Sequence, residues 1–165
     1  MAALTTGVTA PEFTLPTTEG KQFSLAEALK RGPVVVAFFK VSCPVCQYAF
    51  PFLERIHKAY KGHNATIVGV SQNSLNDTLA FMKQFGISFP VTLDDPANYK
   101  VSNAYGLTNV PTVFYIEPDG EITVSSVGWV RADITDINSR LAAALNRKRP
   151  ALFQPNEYVE DWKAG

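Results

Sequence analysis

The residues best suited to chemistry in this chain are its two cysteines, Cys43 and Cys46, which are separated by Pro44 and Val45. No other cysteine occurs among the 165 residues. A disulfide across so short a loop removes little entropy from the unfolded chain and is therefore a poor structural crosslink. Two thiols at this spacing can instead exchange electrons with other disulfides. The spacing thus indicates redox chemistry, with metal binding and chance occurrence as the alternatives.

The elements around the pair favour the redox interpretation. Residues 34–39 form an uninterrupted apolar run that predicts a buried strand, and an apolar face over 44–60 predicts a helix. Cys43 then lies at a strand-to-helix junction, where unpaired N–H groups and the helix dipole favour a thiolate. Pro44 suits the first helical position. We expect Cys43 to be the exposed nucleophile and Cys46, one turn later, the more buried resolving thiol.

A zinc site is the main chemical alternative, because Cys43, Cys46, His57 and His63 have the spacing of a zinc finger. The predicted helix argues against it. At 1.5 Å per residue, Cys43 and His57 would lie roughly 20 Å apart and could not share one ion. We therefore expect no metal and no cofactor.

The rest of the chain alternates strand and helix patterns. Apolar runs predict strands over 13–15, 34–39, 65–71 and 89–93, and a hairpin over 112–127; amphipathic patterns predict helices from Ser24, over 44–60 and 75–85, from 96 to about 105, and over 132–146. This order predicts an α/β domain in three layers, a mixed central sheet with helices on both faces and an N-terminal extension. A single domain spans 1–165. Its C-terminal tail, 150–165, carries Phe153, Tyr158 and Trp162, and we expect part of it to pack on the domain.

Charge and hydropathy exclude several classes of partner. Lys plus Arg and Asp plus Glu number 15 each, so nothing favours nucleic acid. No apolar run is long enough to span a bilayer, and residues 1–5 do not resemble a secretory signal.

The sequence favours a cytoplasmic location, with a periplasmic location as the alternative if a signal segment was removed. We expect as partners a protein or small-molecule disulfide and a thiol reductant, with no nucleic acid and no stable membrane insertion. The oligomeric state is not predicted.

Residues 38–46 resemble the active-site strand and helix start of the thioredoxin superfamily, and residues 110–120 are similar to the strand and hairpin that carry its cis-proline. The resemblance implies a thioredoxin-like fold and thiol–disulfide oxidoreductase activity. It also implies that Pro111 is cis and lies beside the cysteines, and that the backbone of Val110 pairs with an extended substrate strand. Lys40, three residues before Cys43, is a candidate to stabilise the thiolate, with a solvated lysine at a strand end as the alternative.

The start of the chain, residues 10–15, resembles the redoxin branch of that superfamily, with its AhpC/TSA and TlpA-like members. This branch raises the alternative of a peroxiredoxin-like thiol peroxidase. However, the peroxiredoxin motif has Pro and Thr where this chain has Val36 and Lys40. It also has an Arg immediately before a strand, where this chain has Val110 and Pro111. Classical thioredoxins have Asp and Trp at Ala37 and Ser42, which leaves a redox-inactive binding module as a third possibility.

Overall fold

The computed structural model of the protein describes residues 2–165; Met1, the first residue of the predicted domain, lies outside the described residues. The described chain contains nine strands and five helices. In chain order they are β1 Thr14–Pro16, β2 Gln22–Ser24, α1 Leu25–Leu29, β3 Val34–Phe39, α2 Pro44–Ala59, β4 Thr66–Ser71, α3 Leu75–Phe85, β5 Val91–Leu93, α4 Lys100–Ala104, β6 Thr112–Ile116, β7 Ile122–Val127, β8 Trp129–Val130, α5 Arg131–Ala144 and β9 Trp162–Lys163. No helix in this part of the chain has the length and apolar character needed to cross a membrane.

A five-stranded sheet in the order β5-β4-β3-β6-β7 forms the centre of the domain. The pairs β3–β4 and β4–β5 are parallel, whereas β6 runs antiparallel to both β3 and β7. The sheet is therefore mixed, as predicted. The parallel arrangement brings the carboxyl ends of β3 and β4 to the same edge of the sheet, and this edge carries the cysteines.

The apolar run of β3 is buried on both faces of the sheet. Val35, Ala37 and Phe39 belong to a core cluster that includes side chains of α2, α3 and α5. The alternate residues of β3 belong to a second cluster, with side chains of α1, α4 and the N-terminal segment. Since successive side chains of a strand point to opposite faces, each layer of helices covers one set. The prediction of helices on both faces is confirmed.

The helix predicted from residue 96 to about 105 is shorter in the structure, Lys100–Ala104. Asp95 accounts for the difference, because its side chain accepts the Ala97 N–H at 2.9 Å and its carbonyl accepts the Tyr99 N–H at 2.7 Å. Tyr99 adopts a left-handed conformation with φ 47°. These local bonds satisfy the backbone in a turn and delay the start of the helix.

Part of the C-terminal tail packs along α2 and α5, as expected, through two aliphatic residues and one aromatic residue. Leu152 and Val159 are buried in the core cluster, and Phe153 is partly buried against it. Tyr158 and Trp162, two of the three aromatic residues on which the expected packing was based, are exposed. The backbone of Trp162 nevertheless belongs to β9, which pairs with β8.

An ion pair between Arg55 and Glu157 holds the tail against α2. Two guanidinium nitrogens of Arg55 each donate to one Glu157 carboxylate oxygen at 2.8 Å, and one of them also donates to the Leu152 carbonyl. The hydrogen bonds from Arg55 hold the pKa of Glu157 well below its ordinary value. A bidentate pair of this kind fixes both position and orientation.

We expect this ion pair to make the stability of the protein depend on pH in the acid range. Because the folded-state pKa of Glu157 is lowered, its contribution is fully present above the ordinary value of 4.5 and is lost as the pH falls through the folded-state value. Thermal unfolding should therefore show wild type more stable than Glu157→Gln near pH 7, with the difference shrinking below about pH 4.5.

The matched control is Glu19→Gln, which removes the exposed pair of Glu19 with Lys21 at 3.8 Å. Such a pair contributes little to stability, so this variant should unfold like wild type throughout. A difference between wild type and Glu157→Gln that stays constant down to pH 3 would show that the ion pair does not stabilise the fold.

Candidate active site

Cys43 lies between β3 and α2 and caps the helix that follows it. Its Sγ accepts a hydrogen bond from the Cys46 N–H at 3.1 Å, which satisfies one of the free amides of the first turn. Pro44 occupies the first turn as predicted, where its missing N–H leaves no bond unmade. The sulfur therefore lies at the positive end of the dipole of a 16-residue helix.

The loop before β6 brings a second backbone segment to this sulfur. The Val110–Pro111 peptide bond is cis, as the resemblance to the thioredoxin superfamily implies. Cys43 Sγ lies 3.5 Å from the Val110 carbonyl oxygen, to which the thiol donates a hydrogen bond. The fold thus brings Cys43 and Cys46 together with Val110, which is 67 positions from Cys43 in the sequence, and its neighbour Pro111.

Cys46 has a very different environment from Cys43. Its side chain is completely buried, whereas Cys43 is partly exposed. Burial raises the pKa of the Cys46 thiol well above its ordinary value, and the hydrogen bond with Cys43 adds to this effect. Both cysteines are free thiols. The geometry provides one accessible sulfur and one that is enclosed by the core.

Lys40 contacts Cys43 through its backbone, since its carbonyl accepts the Cys43 N–H at 3.3 Å. Its side chain is exposed and lines a polar notch of 120 Å³ together with Gln72, Thr108 and Asn109. In the chain from 2 to 165, the hydrogen-bond partners of Cys43 Sγ are the Val110 carbonyl and the Cys46 amide. Neither is the Thr hydroxyl or Arg guanidinium of the peroxiredoxin motif.

Two residues that the sequence analysis missed hold the loop before Cys43. The Asn73 side chain accepts the Val41 N–H at 3.0 Å, and the Gln47 amide donates to the Val41 carbonyl at 2.9 Å. Asn73 follows β4, whose carboxyl end lies beside that of β3. The sequence signal for Asn73, a polar residue just after the second buried strand, does not by itself specify this contact. Within residues 2–165, no His, Cys, Asp and Glu side chains cluster in a way that would hold a metal ion.

Proteins of known family are similar to this chain in sequence. The AhpC/TSA family profile matches residues 6–125. The thiol–disulfide oxidoreductase ResA of Bacillus subtilis is 32% identical over 121 residues, which cover 73% of this chain and 66% of ResA. ResA of Halalkalibacterium halodurans is 32% identical over 131 residues, which cover 79% of this chain and 73% of that protein.

Solved structures share the fold. A thiol:disulfide interchange protein of the thioredoxin family from Chlorobium tepidum superposes with a TM-score of 0.69 and 29% identity, covering 87% of this chain and 99% of that one. The thioredoxin domain of a thiol–disulfide oxidoreductase from Bacteroides vulgatus superposes with a TM-score of 0.75 and 24% identity, covering 84% and 99%. The thioredoxin-like fold expected from the sequence is therefore confirmed.

Proposed function

Since the chain belongs to the AhpC/TSA family and to the ResA-like thiol–disulfide oxidoreductases, we propose that it exchanges electrons with disulfides through Cys43 as nucleophile and Cys46 as resolving thiol. One observation carries the proposal. The Cys43 sulfur caps α2 in a partly exposed position, and the fully buried Cys46 lies one turn behind it. This asymmetry matches the two different tasks of a dithiol in exchange.

The reaction balances in two steps. The Cys43 thiolate attacks one sulfur of the substrate disulfide, forms a mixed disulfide and expels the other substrate sulfur as a thiolate. Cys46 then attacks the Cys43 sulfur, which releases the second substrate sulfur, and the Cys46 proton leaves with that sulfur. The substrate is reduced to one thiolate, which takes a proton from water, and one thiol, while the pair is oxidised to a Cys43–Cys46 disulfide.

The high pKa of Cys46 gives the order of these steps a physical basis. At neutral pH the buried Cys46 remains a thiol, so it does not compete with Cys43 for the incoming disulfide. It becomes a nucleophile only against the mixed disulfide formed beside it. The reaction needs two partners. One is a disulfide carried by a protein or a small molecule, and the other is a thiol reductant that returns the Cys43–Cys46 disulfide to two thiols.

The proposal is tested by an insulin-reduction assay with dithiothreitol as reductant. Wild-type protein should accelerate reduction well beyond the reductant alone, and the variant Cys43→Ser/Cys46→Ser should not accelerate it at all. The matched control Ser42→Ala alters an exposed neighbour of the pair and should retain most of the activity. Wild-type activity equal to that of the double variant, both with insulin and with a small disulfide, would refute the proposed function.

A further inference from the structure

The last residues of the described chain lie beside the active site. A Cβ built on Gly165 would lie 2.7 Å from the Val110 carbonyl oxygen and 3.2 Å from the Gly128 Cα, so the backbone there is packed against both. The Asn109 side chain donates to the Gly165 carbonyl at 3.2 Å. The Val110 carbonyl is also the partner of the Cys43 sulfur. Gly165 is thus separated from the nucleophile by a single peptide group.

This position matters because the resemblance to the thioredoxin superfamily implies that an extended substrate strand pairs with the backbone of Val110 beside Cys43. We propose that residues 162–165, the covering segment, determine the substrate selectivity of the cysteine pair by occupying this edge. The inference rests on the proposed function and deepens it. The covering segment disfavours disulfides within extended polypeptide strands and leaves access to small disulfides, which reach the partly exposed Cys43 without lying along Val110. It lies outside residues 6–125, which match the family.

The residues just before the covering segment are firmly attached. The Glu160 N–H donates to the Tyr48 hydroxyl at 3.0 Å, and its carbonyl accepts the Trp129 indole N–H at 2.6 Å. The Asp161 carbonyl accepts the Arg131 N–H at 3.0 Å. Together with the Arg55–Glu157 ion pair, these bonds place the chain at the active-site edge.

The covering segment itself is held by fewer contacts. Trp162 and Lys163 pair with two residues of β8, and the Lys163 ammonium lies 5.2 Å from the centre of the Tyr48 ring. The Trp162 side chain is 64% exposed, so little apolar burial opposes its departure. A polypeptide substrate must displace this short segment before it pairs with Val110, and the cost of displacement lowers its rate.

Gly128 offers a way to displace the segment by a single substitution. A Cβ at Gly128 would lie 2.5 Å from the Lys163 carbonyl oxygen and 2.9 Å from the Gly165 nitrogen, so an alanine there cannot coexist with the segment in its present position. The φ of Gly128 is +77°, which adds a backbone cost that is unrelated to the segment. Gly86→Ala is the matched control, because its φ is +67° and its Cβ would meet no atom within 4 Å.

The experiment measures second-order rate constants of the reduced protein with insulin and with 5,5′-dithiobis(2-nitrobenzoate), a small disulfide. Gly128→Ala and a variant ending at Asp161 should each react about fivefold faster with insulin, the effect of one competing backbone hydrogen bond. Their rates with the small disulfide should stay within about twofold of wild type, because this substrate reaches Cys43 without displacing the covering segment. Gly86→Ala should match wild type with both substrates.

Unchanged or reduced rates with insulin in the variant ending at Asp161 would overturn the proposal; a reduced rate would show that the segment helps to bind the substrate. That variant keeps Gly128 and so decides the question if Gly128→Ala fails to fold. If wild type reacts no faster than Cys43→Ser/Cys46→Ser with either disulfide, the proposed function is refuted instead. The two failures are therefore distinguishable.

Discussion

Replacing Cys46 with serine is expected to leave the protein covalently attached to its substrate through Cys43, whereas replacing Cys43 with serine is expected to leave it unreactive. In Cys46→Ser the first exchange step is intact, since Cys43 keeps its partly exposed position and, through the unchanged residue-46 amide, its hydrogen bond to the helix N-terminus. The second step is lost, because a serine hydroxyl does not attack a disulfide at neutral pH. The mixed disulfide should therefore accumulate.

In Cys43→Ser the only remaining thiol is that of Cys46, which is completely buried and has a raised pKa. Such a thiol is both inaccessible and protonated at neutral pH, so the variant should show the activity of the double variant.

Intact-mass spectrometry after mixing with a peptide disulfide measures both outcomes. Cys46→Ser should gain the mass of one peptide, and dithiothreitol should remove it. Cys43→Ser should gain none under the same conditions. Adduct formation at comparable rates in the two single variants would contradict the assigned order of attack.

Features of the site that depend on residues close together in the sequence were predictable, whereas those that depend on distant residues were not. The strand 34–39, the helix from Pro44 and the junction at Cys43 were visible because apolar periodicity and helix-start residues are local signals. The difference between the two thiols also followed from their places one turn apart. The polar contacts of Asn73 depend on the parallel pairing of β3 with β4, which only the folded sheet reveals.

The C-terminal tail shows the limit more clearly. Its aromatic content suggested packing, yet Tyr158 and Trp162 are exposed and the buried contacts are made by Leu152 and Val159. A segment without periodicity does not reveal which side chains face inward. The pairing of β9 with β8 involves two residues per strand, and the contact of Gly165 with Val110 involves backbone atoms alone. No side-chain pattern encodes such contacts.

Glu54 is a further feature that sequence patterns do not reveal, and its loss should have a large effect on stability. It lies on α2 among apolar residues and is only 4% exposed. Its carboxylate accepts the Ser88 N–H at 2.8 Å, the Phe89 N–H at 3.3 Å and the Ser88 hydroxyl. These donors precede β5, so Glu54 ties the helix that carries the cysteines to an edge strand of the central sheet.

Glu54→Ala should lower the free energy of unfolding by about 3 kcal/mol, because it leaves three partly or fully buried donors without an acceptor at about 1 kcal/mol or more each. For a protein of this size, that corresponds to a fall in Tm of about 10 °C. Chemical denaturation and thermal unfolding measure the change. Glu27→Ala is the control, since Glu27 pairs with Lys30 at 3.0 Å with both side chains 70% exposed, and should alter stability by less than about 0.5 kcal/mol.

Glu54→Gln separates the two kinds of contact that Glu54 makes. Its amide oxygen, in the place of Oε1, still accepts both backbone N–H groups of the Ser88–Phe89 segment, whereas its amide nitrogen, in the place of Oε2, cannot accept from the Ser88 hydroxyl. A loss between those of wild type and Glu54→Ala would therefore assign the stabilisation to hydrogen bonds from this segment. A loss in Glu54→Ala no larger than in Glu27→Ala would instead show that water replaces the carboxylate, and that α2 is held to the sheet by its apolar face alone.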